Sequence, residues 1–128
     1  AVNLASRLEG LNKQYGTSII ASDAIVERAR EVFDFRLLDV VAVKGKSDPI
    51  TISELLGTKG ALGGCRRVVS AYETAFSAYA AGNFESALDA LRENTGDAPS
   101  IVLIERCKAL IRTPPPSGWR GIYIAASK

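Results

Sequence analysis

The spacing of apolar residues changes character at a glycine-rich segment, and this change limits what each part of the chain can form. Residues 57–64 contain four glycines and no regular apolar spacing. Before this segment, short apolar runs separated by turn residues favour strands. After it, apolar residues recur every three to four positions, which favours amphipathic helices. We therefore predict an α+β first part and an all-α second part, with residues 58–64 as the linker.

The glycine-rich segment has a second interpretation, as a loop that cradles phosphate groups. Such a loop joins a strand to a helix and carries the pattern G-x-x-x-x-G-K-[ST]. The segment lacks this pattern, so the linker is the favoured interpretation.

The composition narrows the classes of function. The chain has 128 residues, of which 47% are hydrophobic and 23% charged, as in ordinary globular proteins. A net charge of +2 gives no reason to expect a nucleic-acid partner. No apolar run approaches the roughly 18 residues of a membrane span, and no signal-peptide pattern opens the chain. The absence of histidine excludes Ser-His-Asp and Cys-His catalysis within this sequence.

The chain has two cysteines, Cys65 and Cys107. They form no C-x-x-C pair, and there is no histidine to complete a zinc site. We expect two reduced thiols packed against helices.

Helix and strand signals alternate along the first part. Gly16 is placed to end a first helix, and Ser22 or Asp23 is placed to begin a second. The predicted elements are, in order, helix 1–16, strand 18–21, a helix with apolar positions Ile25, Val26, Ala29, Val32 and Phe33, strand 35–43, turn 44–49 and return strand 50–55.

The first helix presents two polar side chains beside its apolar stripe. Asn3 and Arg7 are four residues apart, so they project from the same side of the helix, one turn from each other. By itself this spacing is typical of a solvated helix surface. The apolar stripe is formed by Leu4, Leu8, Leu11 and Tyr15.

Two blocks of sequence resemble one enzyme family. Residues 2–11, Val-Asn-Leu-Ala-Ser-Arg-Leu-Glu-Gly-Leu, resemble the late catalytic helix of class III nucleotidyl cyclases. Val-Lys-Gly-Lys at 43–46, followed by residues 50–57, resembles the closing hairpin of the same domain. The resemblance covers residues 1–57 and implies a partial ferredoxin-like cyclase half, in the order helix-strand-helix-strand-strand.

The resemblance implies a role for each site residue. Asn3 would orient the ribose of a nucleoside triphosphate, and Arg7 would stabilise charge on the α-phosphate as the ribose 3′-oxygen attacks. Lys44 would neutralise the β- and γ-phosphates, with Lys46 as the second candidate for this role. The alternative for both lysines is a solvated turn.

Other family features are absent from the sequence. The resemblance implies Mg²⁺ or Mn²⁺ held by a pair of aspartates upstream of the first helix. Asp34, Asp39 and Asp48 lie in other motifs, so we expect no metal ligand here. The residues that select the purine also lie upstream in the family, with ATP favoured over GTP.

The resemblance also implies an assembly. Family members form homodimers in which each active site takes the metal aspartates from one protomer and the Asn and Arg from the other. We therefore expect the C-terminal part of a cytoplasmic, bacterial-type adenylyl cyclase that is inactive by itself. A sensor and membrane helices upstream are a common layout in that family.

The second part, residues 65–112, predicts three amphipathic helices. The turn around Gly82, Asn83 and Phe84 resembles the turn within a tetratricopeptide repeat, and the alternative is a generic helical hairpin. The residues expected to share one core are Tyr72, Phe76, Tyr79, Phe84, Leu88, Leu103 and Cys107.

Residues 113–128 form the predicted tail. Thr113 and the three prolines after it should end the third helix, because proline cannot continue one. Trp119 should cover an end of the helical core, followed by a short extended segment. A similar helical appendix with a Trp-containing tail occurs in bacterial-type cyclases, which favours Lys128 as a true terminus.

Two other functions remain open at this point. The helical part could be a protein-interaction module that contacts a peptide or a neighbouring domain. Alternatively, the first part could be a catalytically silent cyclase-like domain that only dimerises. Two aspartates in strand-ending contexts upstream would favour the enzyme over the silent domain.

Overall fold

The computed structural model describes residues 19–43, 49–60, 66–119 and 121–125. It has two compact units, one of residues 1–64 with 123–128 and one of residues 65–122. The predicted α+β class is confirmed, with four strands and four helices among the described residues. The predicted helix 1–16 lies outside them.

The first unit contains a sheet of four strands, and the two central strands form a hairpin. Its strand order is β1-β3-β2-β4, and β3 pairs antiparallel with both β1 and β2. The three strands predicted in the first part are confirmed, with ends that differ by at most three residues. The strands are β1 (Ile20–Ser22), β2 (Phe33–Val43), β3 (Ile50–Thr58) and β4 (Ile122–Ala125).

The core of the first unit includes apolar residues from both strands of the hairpin. Leu38 and Ile52 are fully buried, and Val41 is 2% exposed. These β-branched and aliphatic side chains suit a pleated surface and are removed from water by folding.

The helix predicted after the first strand is shorter than its apolar pattern indicated. It forms α1 (Asp23–Ala29), with Ser22 at the N-cap position but without a side-chain capping hydrogen bond. The prediction that Val32 and Phe33 complete its buried stripe is wrong. Val32 is 57% exposed, and Phe33 begins β2 opposite Thr58. Strand pairing across the hairpin therefore overrides the helical spacing at this point.

The predicted linker also begins later than expected. Gly57 and Thr58 lie in β3, opposite Asp34 and Phe33, and residues 59–60 form a turn. Gly57 has a φ of 147°, which favours glycine at the irregular pairing between residues 34 and 35. Residues 61–64 of the predicted linker lie outside the described residues.

The second unit contains α2 (Arg66–Ala80), α3 (Phe84–Ala90) and α4 (Ala98–Arg112). Gly82, with a φ of +86°, makes the turn between α2 and α3, as the sequence predicted. The helix α4 ends before the prolines, which confirms that prediction. Within the described parts of the chain, none of the helices combines the length and apolarity required to cross a bilayer.

The start of α4 is fixed by a cap that the sequence analysis missed. The Asp97 carboxylate accepts a hydrogen bond from the Ser100 backbone N–H at 3.1 Å, and Pro99 stands in the first turn. An aspartate followed closely by a proline is a recognisable helix-start signal.

The predicted helical core is confirmed in large part. Phe84 and Leu88 are half-buried rather than fully enclosed. Trp119 covers the end of this core, with its ring centroid 5.2 Å from that of Tyr79 and 5.4 Å from that of Phe84. The buried members are Tyr72, Phe76, Tyr79, Leu103 and Cys107.

Two glycines near Trp119 give a matched test of this packing. Gly118 and Gly121 have φ values of +87° and +83°, but only a Cβ at Gly121 would meet backbone, 2.9 Å from the Ala80 Cα. Gly118→Ala should cost about 1 kcal/mol of stability for its φ alone. Gly121→Ala should cost about 3 kcal/mol because the clash adds to the strain. Urea unfolding followed by Trp119 fluorescence measures both, and equal losses would contradict the close approach.

Candidate functional site

The four residues predicted for nucleotide binding lie outside the described residues. Asn3 and Arg7 belong to the segment 1–18, and Lys44 and Lys46 to the segment 44–48. The structure does describe the two strands that lead into and out of the second segment. The candidate site is therefore built from this hairpin.

The hairpin brackets the lysine segment closely. Val41 pairs with Ile50, Val40 with Thr51 and Asp39 with Ile52. Directly opposed residues of an antiparallel pair have side chains on the same face of the sheet. Val41 and Ile50 are therefore on one face of the sheet, as are Asp39 and Ile52.

One bulge in β2 interrupts this register. Leu37 pairs with Ser53, whereas Asp39 pairs with the next residue, Ile52, so Leu38 is an extra residue on β2. Asp39 has no exposed surface, and its Oδ1 accepts a hydrogen bond from the Val40 N–H at 2.8 Å. A buried carboxylate therefore bonds to the backbone just after the bulge.

A buried ion pair crosses the same two strands. Arg36 pairs with Glu54 in the ladder, and its Nε and Nη2 donate to Glu54 Oε1 at 3.1 and 2.8 Å. The side chains are 5% and 17% exposed, so water screens the attraction little. The pair holds the hairpin together at a position where an unpaired charge would be costly.

The carboxylates of the hairpin are already engaged. Asp34 Oδ2 accepts from the Gly60 N–H at 2.9 Å, and its Oδ1 lies 3.8 Å from Lys59 Nζ. In the part of the chain that the structure describes, no group of three or more His, Cys, Asp or Glu residues could hold a metal ion. Asp48 lies outside that part. The described residues therefore do not form a site that fits a resident metal.

Sequence reasoning missed the ion pair and the role of Asp39. Asp39 was visible as the single polar residue in an apolar run, but the run does not show that its carboxylate caps a bulge. Arg36 and Glu54 are 18 residues apart, and only the strand register brings them together.

A network of hydrogen bonds, called the polar bridge below, links side chains of the second unit. Asn94 is 4% exposed, and its Nδ2 donates to the Val68 carbonyl at 3.0 Å and to Ser100 Oγ at 3.1 Å. Ser100 Oγ in turn donates to Asp97 Oδ2 at 2.6 Å. The bridge joins the start of α4 to α2, beside a surface cleft of about 320 Å³.

Cys107 is an enclosed thiol rather than a reactive one, which confirms the expectation for this cysteine; Cys65 lies outside the described residues. Cys107 is free and has no exposed surface. Burial raises the pKa of its thiol from 9.0 to about 11, although the positive charge of Arg106 opposes the shift. At neutral pH the thiol is protonated, and this form is a poor nucleophile.

This pKa predicts how stability depends on pH. The unfolded thiol ionises near pH 9, while the folded thiol stays neutral to about pH 11, so stability falls as the pH rises between these values. Between pH 8 and 10 the chain should lose about 1 kcal/mol more than its Cys107→Ala variant. Urea unfolding of both, each with Cys65→Ser, measures the difference. Equal losses would show that the buried thiol does not titrate as expected.

Comparison with known proteins gives three relatives. Adenylate cyclase 1 of Rhizobium meliloti (strain 1021) is 48% identical over 56 residues, or 44% of this chain. The adenylate cyclase of Anabaena cylindrica is 48% identical over 58 residues, or 43% of the chain. The terminal-differentiation specific adenylate cyclase of Dictyostelium discoideum is 32% identical over 124 residues, or 88% of the chain. All three relatives are adenylate cyclases.

The similarity covers a small part of each relative. The chain spans 8%, 12% and 6% of the length of the three enzymes, in the same order. No protein-family model matches the chain, and no solved structure matches it. The chain is thus related in sequence to a segment of adenylate cyclases, and in the Dictyostelium enzyme the relation extends beyond the first 57 residues.

Proposed function

We propose that this chain supplies part of the catalytic domain of an adenylate cyclase, which converts ATP into 3′,5′-cyclic AMP and pyrophosphate. The observation that carries the proposal is 48% identity to segments of two enzymes named adenylate cyclase. The hairpin of β2 and β3 supports it, because two paired strands bracket the segment with Lys44 and Lys46.

The resemblance to the cyclase family gives each site residue a role in this reaction. The ribose 3′-oxygen forms a bond to the α-phosphorus as the bond from that phosphorus to the β-phosphate oxygen breaks, and pyrophosphate leaves. Asn3 orients the ribose, and Arg7 meets the charge that grows on the α-phosphate oxygens. Lys44, with Lys46 as the second candidate, neutralises the β- and γ-phosphates.

The proposal includes a dimer. Two cyclase domains would share each active site, and carboxylates of a different segment would hold Mg²⁺ or Mn²⁺. This chain by itself should therefore form no cyclic AMP from ATP with either metal ion. Cyclic AMP above background from the isolated chain would contradict this division of the site.

A chimeric cyclase tests the activity directly. In the Rhizobium meliloti enzyme, the matching segment is exchanged for the corresponding residues of this chain, and cyclic AMP formation is measured. The proposal expects an active chimera that loses activity with Arg7→Ala. An inactive chimera that still dimerises would favour a catalytically silent dimerisation domain instead.

The helical unit supports a second function beside the first. On α4, the apolar residues Ile101 and Ile111 are 46% and 40% exposed, and we propose that they contact a peptide or another domain. A tetratricopeptide-like role is part of this second proposal. Ile101→Asp with Ile111→Asp should leave the fold intact and weaken self-association or partner binding, measured by sedimentation. Unchanged sedimentation would contradict it.

A further inference from the structure

One flank of α4 carries a regular row of side chains, called the α4 stripe below. It consists of Ile101, Ile104, Lys108 and Ile111, which follow one another at intervals of three, four and three residues. On an α-helix these intervals place the four side chains within roughly 80° around the axis. This is the spacing by which one helix packs lengthwise against another.

The α4 stripe is separate from the face of α4 that builds the core. Leu103 and Cys107 are buried, and their positions lie roughly 100° around the helix from the stripe. Ile101 and Ile111 are 46% and 40% exposed, and Ile104 is half-buried. The helix therefore has a second apolar surface, which the fold of the second unit leaves open to water.

The order of residues in the α4 stripe is symmetric. Residue 106 is the midpoint between Ile101 and Ile111, and also between Ile104 and Lys108. Two copies of α4 placed antiparallel, with a two-fold axis at residue 106, set Ile101 of one copy opposite Ile111 of the other. Ile104 then lies opposite Lys108. Such a contact is self-complementary, as a two-fold interface requires.

The charges of the stripe favour the antiparallel arrangement over a parallel one. In a parallel pair, Lys108 would face Lys108 of the second copy inside the contact, and the like charges would repel. In the antiparallel pair, the aliphatic part of Lys108 covers Ile104 of the second copy, and its ammonium group comes beside Glu105 of that copy.

The two charged residues are available for this exchange of partners. Within one chain, Lys108 Nζ lies 3.8 Å from Glu105 Oε2, and the side chains are 54% and 69% exposed. An exposed pair of this kind contributes little to stability. Both side chains can therefore turn to a second copy at a small cost.

We infer that the α4 stripe is a self-association surface whose occupant is a second copy of this chain, bound antiparallel, with Glu105 of each copy paired to Lys108 of the other. This inference rests on the contact role proposed for the helical unit and does not depend on catalytic activity. The stripe is about 15 Å long, so the contact is smaller than a standard interface. The pairing is therefore weak by itself, and it adds to any other contact between the same two copies.

Disulfide trapping in the full chain tests which residues meet. Chains with Ile101→Cys and chains with Ile111→Cys are oxidised separately and as an equimolar mixture. Each chain also carries Cys65→Ser, while Cys107 stays enclosed in the core. We expect a 101–111 cross-link in the mixture and little cross-linking in either chain alone, because only opposed residues come within disulfide reach. Mass spectrometry of the linked peptides identifies the positions.

Charge reversal tests the proposed ion pairs in the same mixture. Glu105→Lys in both chains should lower the 101–111 cross-linked fraction about tenfold, because like charges replace both attractive contacts. Glu105→Lys in one chain with Lys108→Glu in the other should restore it, since each lysine again meets a glutamate. This recovery also shows that the variants fold. Glu93→Lys, an exposed change of the same charge outside α4, should leave the fraction unchanged.

Three results would overturn the inference. Cross-links within each single-cysteine chain would show a parallel pair, and no 101–111 cross-link in the mixture would show that the stripe does not pair with itself. A fraction that is insensitive to Glu105→Lys would reject the ion pairs. If α4 instead binds a peptide, the mixture stays reduced while the exposed isoleucines still matter for peptide binding. An inactive chimeric cyclase would reject the proposed catalytic function and leave the cross-linking result standing.

Discussion

Replacing Arg7 by alanine in the chimeric cyclase is expected to lower kcat by about 10²–10³-fold, as removal of a group that stabilises transition-state charge does. KM for ATP should change far less, because the contact strengthens as charge develops on the α-phosphate. Steady-state kinetics of cyclic AMP formation measures both constants.

Arg28→Ala is the matched control for this change. Arg28 is an exposed residue of α1, and the proposed site does not include it. It should leave kcat and KM as they are in the chimera. Near-normal turnover with Arg7→Ala would show that the first helix does not contribute to the site.

Lys44→Ala should give the opposite pattern of kinetic constants. The β- and γ-phosphates are charged before the reaction begins, so a lysine that neutralises them contributes to ground-state binding. We expect KM to rise clearly and kcat to change less. The same change at Lys46 tells which of the two lysines makes the contact.

The helical part of the fold could be predicted from the sequence because its signals are local. Tyr72, Phe76 and Tyr79 repeat at helical spacing, and they are buried as expected. Gly82 marks the turn, and the prolines after Thr113 mark the end of α4. Each of these signals depends on residues within one or two turns of helix. The helices and their ends can therefore be predicted without knowing any distant contact.

The sheet was predicted less completely because pairing joins residues that are distant in sequence. Phe33 follows a helical apolar pattern, yet it pairs with Thr58, 25 positions away. Leu38 is an ordinary apolar residue in its run, and only the partners on β3 make it the bulge. The sequence shows which residues favour strands but not the register in which they pair.

The candidate site likewise contains residues that a sequence motif identifies and residues that only the strand pairing identifies. Asn3, Arg7, Lys44 and Lys46 could be proposed because they stand in motifs that resemble a family. Asp39 carries no motif, and its contact with the Val40 N–H depends on the bulge. A contact of this kind is identified only once the pairing of the strands is known.

The largest stability effect in the sheet is expected at the Arg36–Glu54 pair. Arg36→Met removes one partner of a pair whose side chains are 5% and 17% exposed, and Glu54 is left with an uncompensated charge. Breaking a buried pair in this way costs about 3–5 kcal/mol, and we expect a value near 3 because Glu54 retains some contact with water. Amide hydrogen exchange at Ile52 and Ser53 measures the loss within the hairpin.

An exposed pair in the same unit provides the control. Arg30 Nη1 lies 3.3 Å from Glu27 Oε2, with side chains 62% and 71% exposed. Arg30→Met should cost at most about 1 kcal/mol, because water screens the pair and both residues are solvated without it.

A double-mutant cycle then separates the ion pair from the other contacts of Arg36, which has further partners in the structure. Glu54→Leu should destabilise the native chain but cost about 2 kcal/mol less in the Arg36→Met background, where the carboxylate no longer has its partner. Equal costs in both backgrounds would show that the two side chains are not coupled. In that case the cross-strand contact would not be what holds the two strands together.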